Sequence, residues 1–114
     1  MDKKIKRSVA TLLAHIIKVD KRDINQAASL FCSLMGQDFG CDKEEALAFL
    51  KSVMEENYNL NEHIDIINAA LQDDKLSKMH ILEQLNHIIY SDTISEVDYK
   101  IFDEIKRKLF PEIK

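Results

Sequence analysis

The 114-residue sequence predicts an all-α fold, a single compact bundle of six to seven helices, and three observations carry that prediction. Apolar residues recur at i, i+3/i+4 and i+7 along almost the whole chain, and no stretch alternates with the period of two of a half-buried strand. Two glycines and one proline are too few for the turns of a β-sandwich or for a low-complexity linker. Capping signatures also stand ahead of most of the periodic stretches.

Taken in order, Ile5, Val9, Leu12, Leu13, Ile16 and Ile17 form one stripe of a first helix. A second is predicted from about Ile24 to Met35, opened by Asp23-Ile-Asn-Gln26 and facing inward with Ala27, Leu30, Phe31 and Leu34, with a loop between Gly36 and Gly40. Asp42-Lys-Glu-Glu45 opens a third, whose buried side is Ala46, Phe49, Leu50, Val53 and Met54. Asn59 to Asn61 begins a shorter fourth carrying Ile64, Ile67, Asn68 and Leu71, and a fifth spans roughly Lys75 to Ser91 with Ile81, Leu82, Leu85, Ile88 and Ile89 inward. Ser95-Glu-Val-Asp98 caps the sixth, which turns Ile101, Phe102, Ile105 and Leu109 inward until Pro111 stops it.

Length and charge narrow the function classes. A 13.2 kDa chain buries about two thirds of its unfolded surface, so one domain over 1–114 folds without a metal or disulfide staple. The net charge of −4 and pI near 5.5 argue against a nucleic-acid binder, which needs a basic face to displace counterions. No apolar run reaches the roughly 18 residues of a membrane span, and Met1-Asp2-Lys3-Lys4 leads straight into a helical pattern rather than a signal stretch. The expectation is a small soluble cytoplasmic domain. Cys32 and Cys41 have no zinc or CxxC spacing and are expected reduced and packed.

An internal repeat is the most informative feature. Leu13-Ala-His15-Ile16-Ile17-Lys-Val-Asp20 aligns with Leu85-Asn-His87-Ile88-Ile89-Tyr-Ser-Asp92. Each copy ends a helix, turns after an aspartate, passes an isoleucine (Ile24, Ile94) and starts another helix. Two related hairpins, about 5–36 and 75–110, packed about a pseudo-twofold axis, are the natural arrangement, since two copies are too few for a solenoid.

Asp20 and Asp92 each lie four residues beyond an inward isoleucine, on their helix's own apolar stripe and at its electronegative end. Asp98 lies three, four and seven residues before Ile101, Phe102 and Ile105, on the buried side of the sixth helix. Turn and cap chemistry accounts for all three: an aspartate in a turn bonds nearby backbone, and Asp98 completes a capping box. The alternative is that Asp20, Asp92 and Asp98 converge, because inward carboxylates need donors or a cation. Oxygen ligands alone suit a divalent cation such as calcium, magnesium or manganese, or the carboxylates could receive an Arg or Lys of a partner.

This repeated pattern of apolar helix, aspartate, short turn, isoleucine and capped helix resembles the tellurite-resistance TerB-like family, over about Ile5 to Phe110. The resemblance implies an all-α fold of about seven helices whose acidic residues cluster on one side, with a metal-ion role proposed for them. It also implies a place in bacterial stress-response systems at the inner face of the membrane, and similar domains stand beside J-domains in co-chaperones. Asp20 and Asp92 match the family's turn aspartates and Asp98 the acid of the second half. The family's glycine after each aspartate is Lys21 and Thr93 here, and the first-half acid is Ala28.

Other features are read as surface. His15 and His87 lie well off their apolar stripes, and His80, Glu83 and His87 form a polar face of the fifth helix without an E-x-x-H or H-E-x-x-H arrangement. The basic stretches Lys3 to Arg7 and Lys106 to Lys108 read as a solvated end and a helix C-terminus. No phosphate loop, G-x-S-x-G or Walker signature is present, so no enzyme is expected. The resulting expectation is a non-catalytic TerB-like domain binding a divalent cation or a protein partner, within a membrane-associated complex, through Asp20, Asp92 and Asp98. A helical interaction or scaffold module with no metal site is the alternative, and a metal-dependent hydrolase the remote one.

Overall fold

A central helix organises the molecule. In the computed structural model, which describes residues 3–111, a 3-10 turn (Lys3–Ile5) leads into α1 (Lys6–Val19), and α2 (Ile24–Phe39), α3 (Lys43–Glu55), α4 (Leu60–Ala70), α5 (Lys75–Tyr90) and α6 (Glu96–Leu109) follow. The described residues contain no strand. The remaining five residues of the predicted 1–114 domain lie outside the described ones. The radius of gyration, 13.0 Å, is that of one domain of about 100 residues, so the hairpins do not separate into lobes.

α1 packs against all five other helices. A single apolar stripe predicts a helix with one wet face, yet Ser8 to Ala14, Ile16 and Ile17 are all buried. Burial nearly all round is what a core helix shows. Its apolar side meets the core through Val9, Leu12, Leu13, Ile16 and Ile17, while Ser8, Thr11, His15 and Lys18 form a second, polar stripe at i, i+3, i+7 and i+10.

The predicted inward residues of α2 to α6 occupy the core or pack against it. Boundaries moved in one place. The loop expected between Gly36 and Gly40 is helix, and α2 continues to the buried Phe39. Gly36 lies inside it, where a Cβ would stand 3.3 Å from the Cys41 carbonyl oxygen, and only Gly40, at φ +66°, takes the left-handed cap.

The end of α1 is a Schellman turn. Arg22 N–H donates to Ile17 O at 3.0 Å and Lys21 N–H to Lys18 O at 3.3 Å. Lys21 therefore holds the left-handed position, at φ 51°, the one non-glycine residue with positive φ among the described residues. A side chain in that region costs about 1–2 kcal/mol per residue. Lys21→Gly is expected to raise stability by about 0.5–1 kcal/mol, the strain removed less glycine's extra unfolded entropy. Lys21→Val is expected to lower it, and urea midpoints of the two variants measure both.

Buried or half-buried polar side chains recur at helix C-termini. Lys18 Nζ donates to Val53 O and Glu56 O at the end of α3. Lys78 Nζ and Asn68 Nδ2 donate to Leu109 O and Lys108 O at the end of α6. Each satisfies carbonyls that have no intrahelical partner, and the lysines also meet the negative end of the helix dipole.

Candidate functional site

The corner where the α1–α2 and α5–α6 turns meet is the most constrained polar site in the described chain. Its centre is Arg22, whose side chain is 3% exposed. The Schellman turn reverses the chain at Lys21 and points Arg22 across the end of α5. There Nη1 donates to Ile88 O at 2.8 Å and Nη2 to Ile89 O at 2.9 Å. Ser91 Oγ also donates to Ile88 O, at 2.6 Å, so the last carbonyls of α5 are met by side chains.

Two carboxylates complete the guanidinium's surroundings. Asp98 Oδ2 accepts from Nη2 at 2.9 Å and Asp20 Oδ2 from Nε at 3.2 Å. Asp98 is fully buried and also completes the predicted capping box. Ser95 N–H donates to its Oδ2 at 2.9 Å while Ser95 Oγ receives the Asp98 N–H. The same Ser95 hydroxyl donates to Asp20 Oδ1 at 2.9 Å. One buried atom is left over: Asp98 Oδ1 has no protein hydrogen-bond partner.

Of the three acids named from sequence, the structure brings Asp20 and Asp98 together and leaves Asp92 apart. Asp92 is exposed and accepts from its own turn, Thr93 N–H at 2.7 Å. The reason is backbone. Asp20 is the C-cap of α1, its N–H still on Ile16 O, whereas α5 caps on Ser91 and leaves Asp92 one residue beyond, in the turn. The group between Asp20 and Asp98 is the chain's own guanidinium. Among the described residues, no cluster of three or more His, Cys, Asp or Glu is placed to hold a metal ion.

Sequence reasoning missed Arg22, although it stands two residues after the aspartate already singled out. A cation within the acid-bearing turn was the available signal. It also left two histidines without partners. His15 is half-buried, its Nδ1 2.5 Å from Tyr58 Oη, and its ring meets the tyrosine edge-on at 5.6 Å. His80, expected on a solvated face, clasps α2 to α5: Nε2 lies 2.8 Å from Asp38 Oδ1, and Gln84 Nε2 donates to Asp38 Oδ2 at 3.0 Å. Cys32 is half-buried and Cys41 buried, each a free thiol. Burial, together with the Glu45 carboxylate, pushes the Cys41 thiol up to about 11 and burial raises Cys32, so neither is a ready thiolate.

A second polar region lies along the polar stripe of α1. Ser8 Oγ and His63 Nδ1 are 3.0 Å apart, and Lys18 Nζ sits 4.9 Å over the Tyr58 ring. Between this stripe and the α3–α4 connection is a pocket of about 210 Å³ whose lining includes Arg7, Thr11, Phe49, Glu56, Tyr58 and His63. No helix among the described residues is long and apolar enough to cross a membrane.

No family model, curated protein or solved structure matches the chain.

Proposed function

We propose that the chain is a non-catalytic helical interaction module that docks a protein partner, its acidic corner filled from within rather than by a metal. The observation that carries this reading is Arg22. Its guanidinium already supplies Asp20 and Asp98 with the positive charge and donors that inward carboxylates require, and a divalent cation beside it would meet a like charge. Arginine in such a site keeps its charge and its fork geometry, so the corner is a fixed joint between three helices. Exposed apolar side chains flank the joint in sequence: Val19 beside Asp20, Ile24 near Arg22, Tyr90 beside Ile89, and Val97 and Tyr99 on either side of Asp98. Tyrosine is enriched where proteins bind each other, and a rim held by a rigid joint loses little freedom on binding. In the setting that the TerB-like resemblance implies, the partner is a protein of a membrane-associated stress-response complex in the cytoplasm.

Thermal melts with calcium, magnesium and manganese test the cation half of this reading. A cation at 100 times its dissociation constant, bound only to the folded chain, adds about 2.7 kcal/mol, or roughly ten degrees for a chain of this size. No rise is expected with any of the three. A rise of that size that disappears in Asp92→Asn, an exposed change that leaves the joint intact, would restore the three-aspartate cation site. The partner half is tested by proximity labelling in the host. Tyr90→Ser/Tyr99→Ser is expected to lose a defined set of labelled proteins while keeping its melting temperature, and an unchanged set would remove the rim as the docking surface.

A further inference from the structure

Residues 55–63, from the last residue of α3 to the first turn of α4, include no fully buried side chain. They nevertheless cross the polar stripe of α1 and wall the pocket described above. Only Tyr58 and Leu60 in this segment pack against the apolar core, and both do so partly. Its other ties to the rest of the fold are polar: Tyr58 to His15, His63 to Ser8, the Glu56 carbonyl to Lys18, the Glu56 carboxylate to Arg7, and Asn61 to Lys108. Segments with few buried apolar contacts and mostly exposed hydrogen bonds open first.

We propose that residues 56–63 are an acid-released strap: proton uptake by His15 and His63 frees this segment from α1 and uncovers the pocket beneath it, while the Arg22 corner stays closed.

Both imidazoles face the strap seam through Nδ1, each against a hydroxyl. A hydroxyl can rotate to donate or accept, so neither hydrogen bond forbids protonation. The obstacle is charge in a place with little water. His15 is faced by Tyr58 from the connection, by Glu104 from α6 and by Lys18 of its own helix. His63 is faced by Ser8 and Arg7 from α1 and by Glu62 of its own helix. Burial is the largest influence on each and outweighs the pull of Glu104 and Glu62, while Lys18 and Arg7 add to it. Both imidazoles are thereby held below their ordinary value.

Lifting the strap returns both rings to water and to an ordinary value of about 6.5. Above that pH neither form binds the protons, and opening is unaffected. Below it the open form takes up protons that the closed form refuses. The opening constant then rises up to about tenfold per pH unit for each histidine, until the depressed values are reached. The groups that meet at the Arg22 corner, Asp20, Asp98, Ser91 and Ser95, include no histidine, so the two ends of the molecule respond differently.

Amide hydrogen exchange of the whole chain at pH 7.5 and 5.5, corrected for the chemical exchange rate, tests this. Protection of residues 56–63 is expected to fall by about tenfold or more, and that of 85–98, around the Arg22 corner, by less than about twofold. His15→Gln and His63→Gln are each expected to remove part of the pH-dependent loss, and the imidazole resonances of the unmodified chain are expected to titrate below their ordinary value. The proposal is overturned if protection of 56–63 is independent of pH, if 85–98 loses protection equally, or if His15 and His63 titrate at the ordinary value. Should either glutamine variant not fold, the imidazole titration of the unmodified chain decides.

Discussion

Arg22→Met is expected to destabilise the chain by about 3–5 kcal/mol, the cost of breaking a buried ion pair from one side. For a domain of this size that lowers the melting temperature by roughly 10–20 °C. Asp98 is fully buried, and Arg22 is its only cationic contact among the described residues. Removing the guanidinium leaves Asp98, among the described residues, with the Ser95 N–H alone and takes one side-chain donor each from Ile88 O and Ile89 O. The joint differs from an exposed ion pair such as Lys6–Glu45, whose attraction is screened by solvent. The companion variant Arg22→Met/Asp98→Leu separates attraction from desolvation. A buried pair exchanged for apolar side chains of similar volume is often neutral or better, and here one Asp98 oxygen has no partner to lose. The double variant gives up the capping box, at about 1 kcal/mol. It is therefore expected to be clearly more stable than Arg22→Met, and chemical denaturation of the parent chain, Arg22→Met, Asp98→Leu and the double variant measures the coupling. If the double variant is less stable than the single by several kcal/mol, the joint is held by more than charge satisfaction.

The joint also shows where a sequence is readable and where it is not. Helix number, order and inward residues follow from period and caps, which are local properties. The side chains of Ile81, Leu85, Ile88, Ile101 and Ile105 are buried as their spacing requires. Asp98 was also legible, since a capping-box acid on an apolar stripe must be buried. Asp92 and Asp20 were not separable, because their octapeptides match while their turns do not. α1 caps on Asp20 and turns at the left-handed Lys21, whereas α5 caps one position earlier, on Ser91, and the residue that would normally announce a left-handed turn, glycine, is absent at 21. The role of Arg22 depends on α5 ending beside it, a fact of tertiary packing with no local signature. The polar stripe of α1 hid for a related reason. Ser8, Thr11, His15 and Lys18 read as a wet face, and only the arrival of α3 and α4 on that side buries it.

That burial on every side makes α1 the element least able to relax, so Leu12→Ala is expected to cost about 3–5 kcal/mol, the upper part of the range for such truncations. The cost of a large-to-small change is the lost transfer energy plus the cavity, and the cavity term depends on how far neighbours can move into it. Leu12 is completely buried in the middle of a helix that packs against all five others. Its neighbours are held in turn by the Arg22 joint and by Lys18 at the end of α3, so collapse around the gap is limited. Phe102→Ala provides the contrast. It removes a larger side chain, but Phe102 is only partly buried, on α6 at the edge of the core, where solvent and neighbours can fill the space. Leu12→Ala is expected to be the more damaging of the two although fewer atoms are deleted, and urea unfolding of both variants checks the order. The reverse order would mean that α1 is able to shift within its ring of helices, and that the joint at its end does not fix its position.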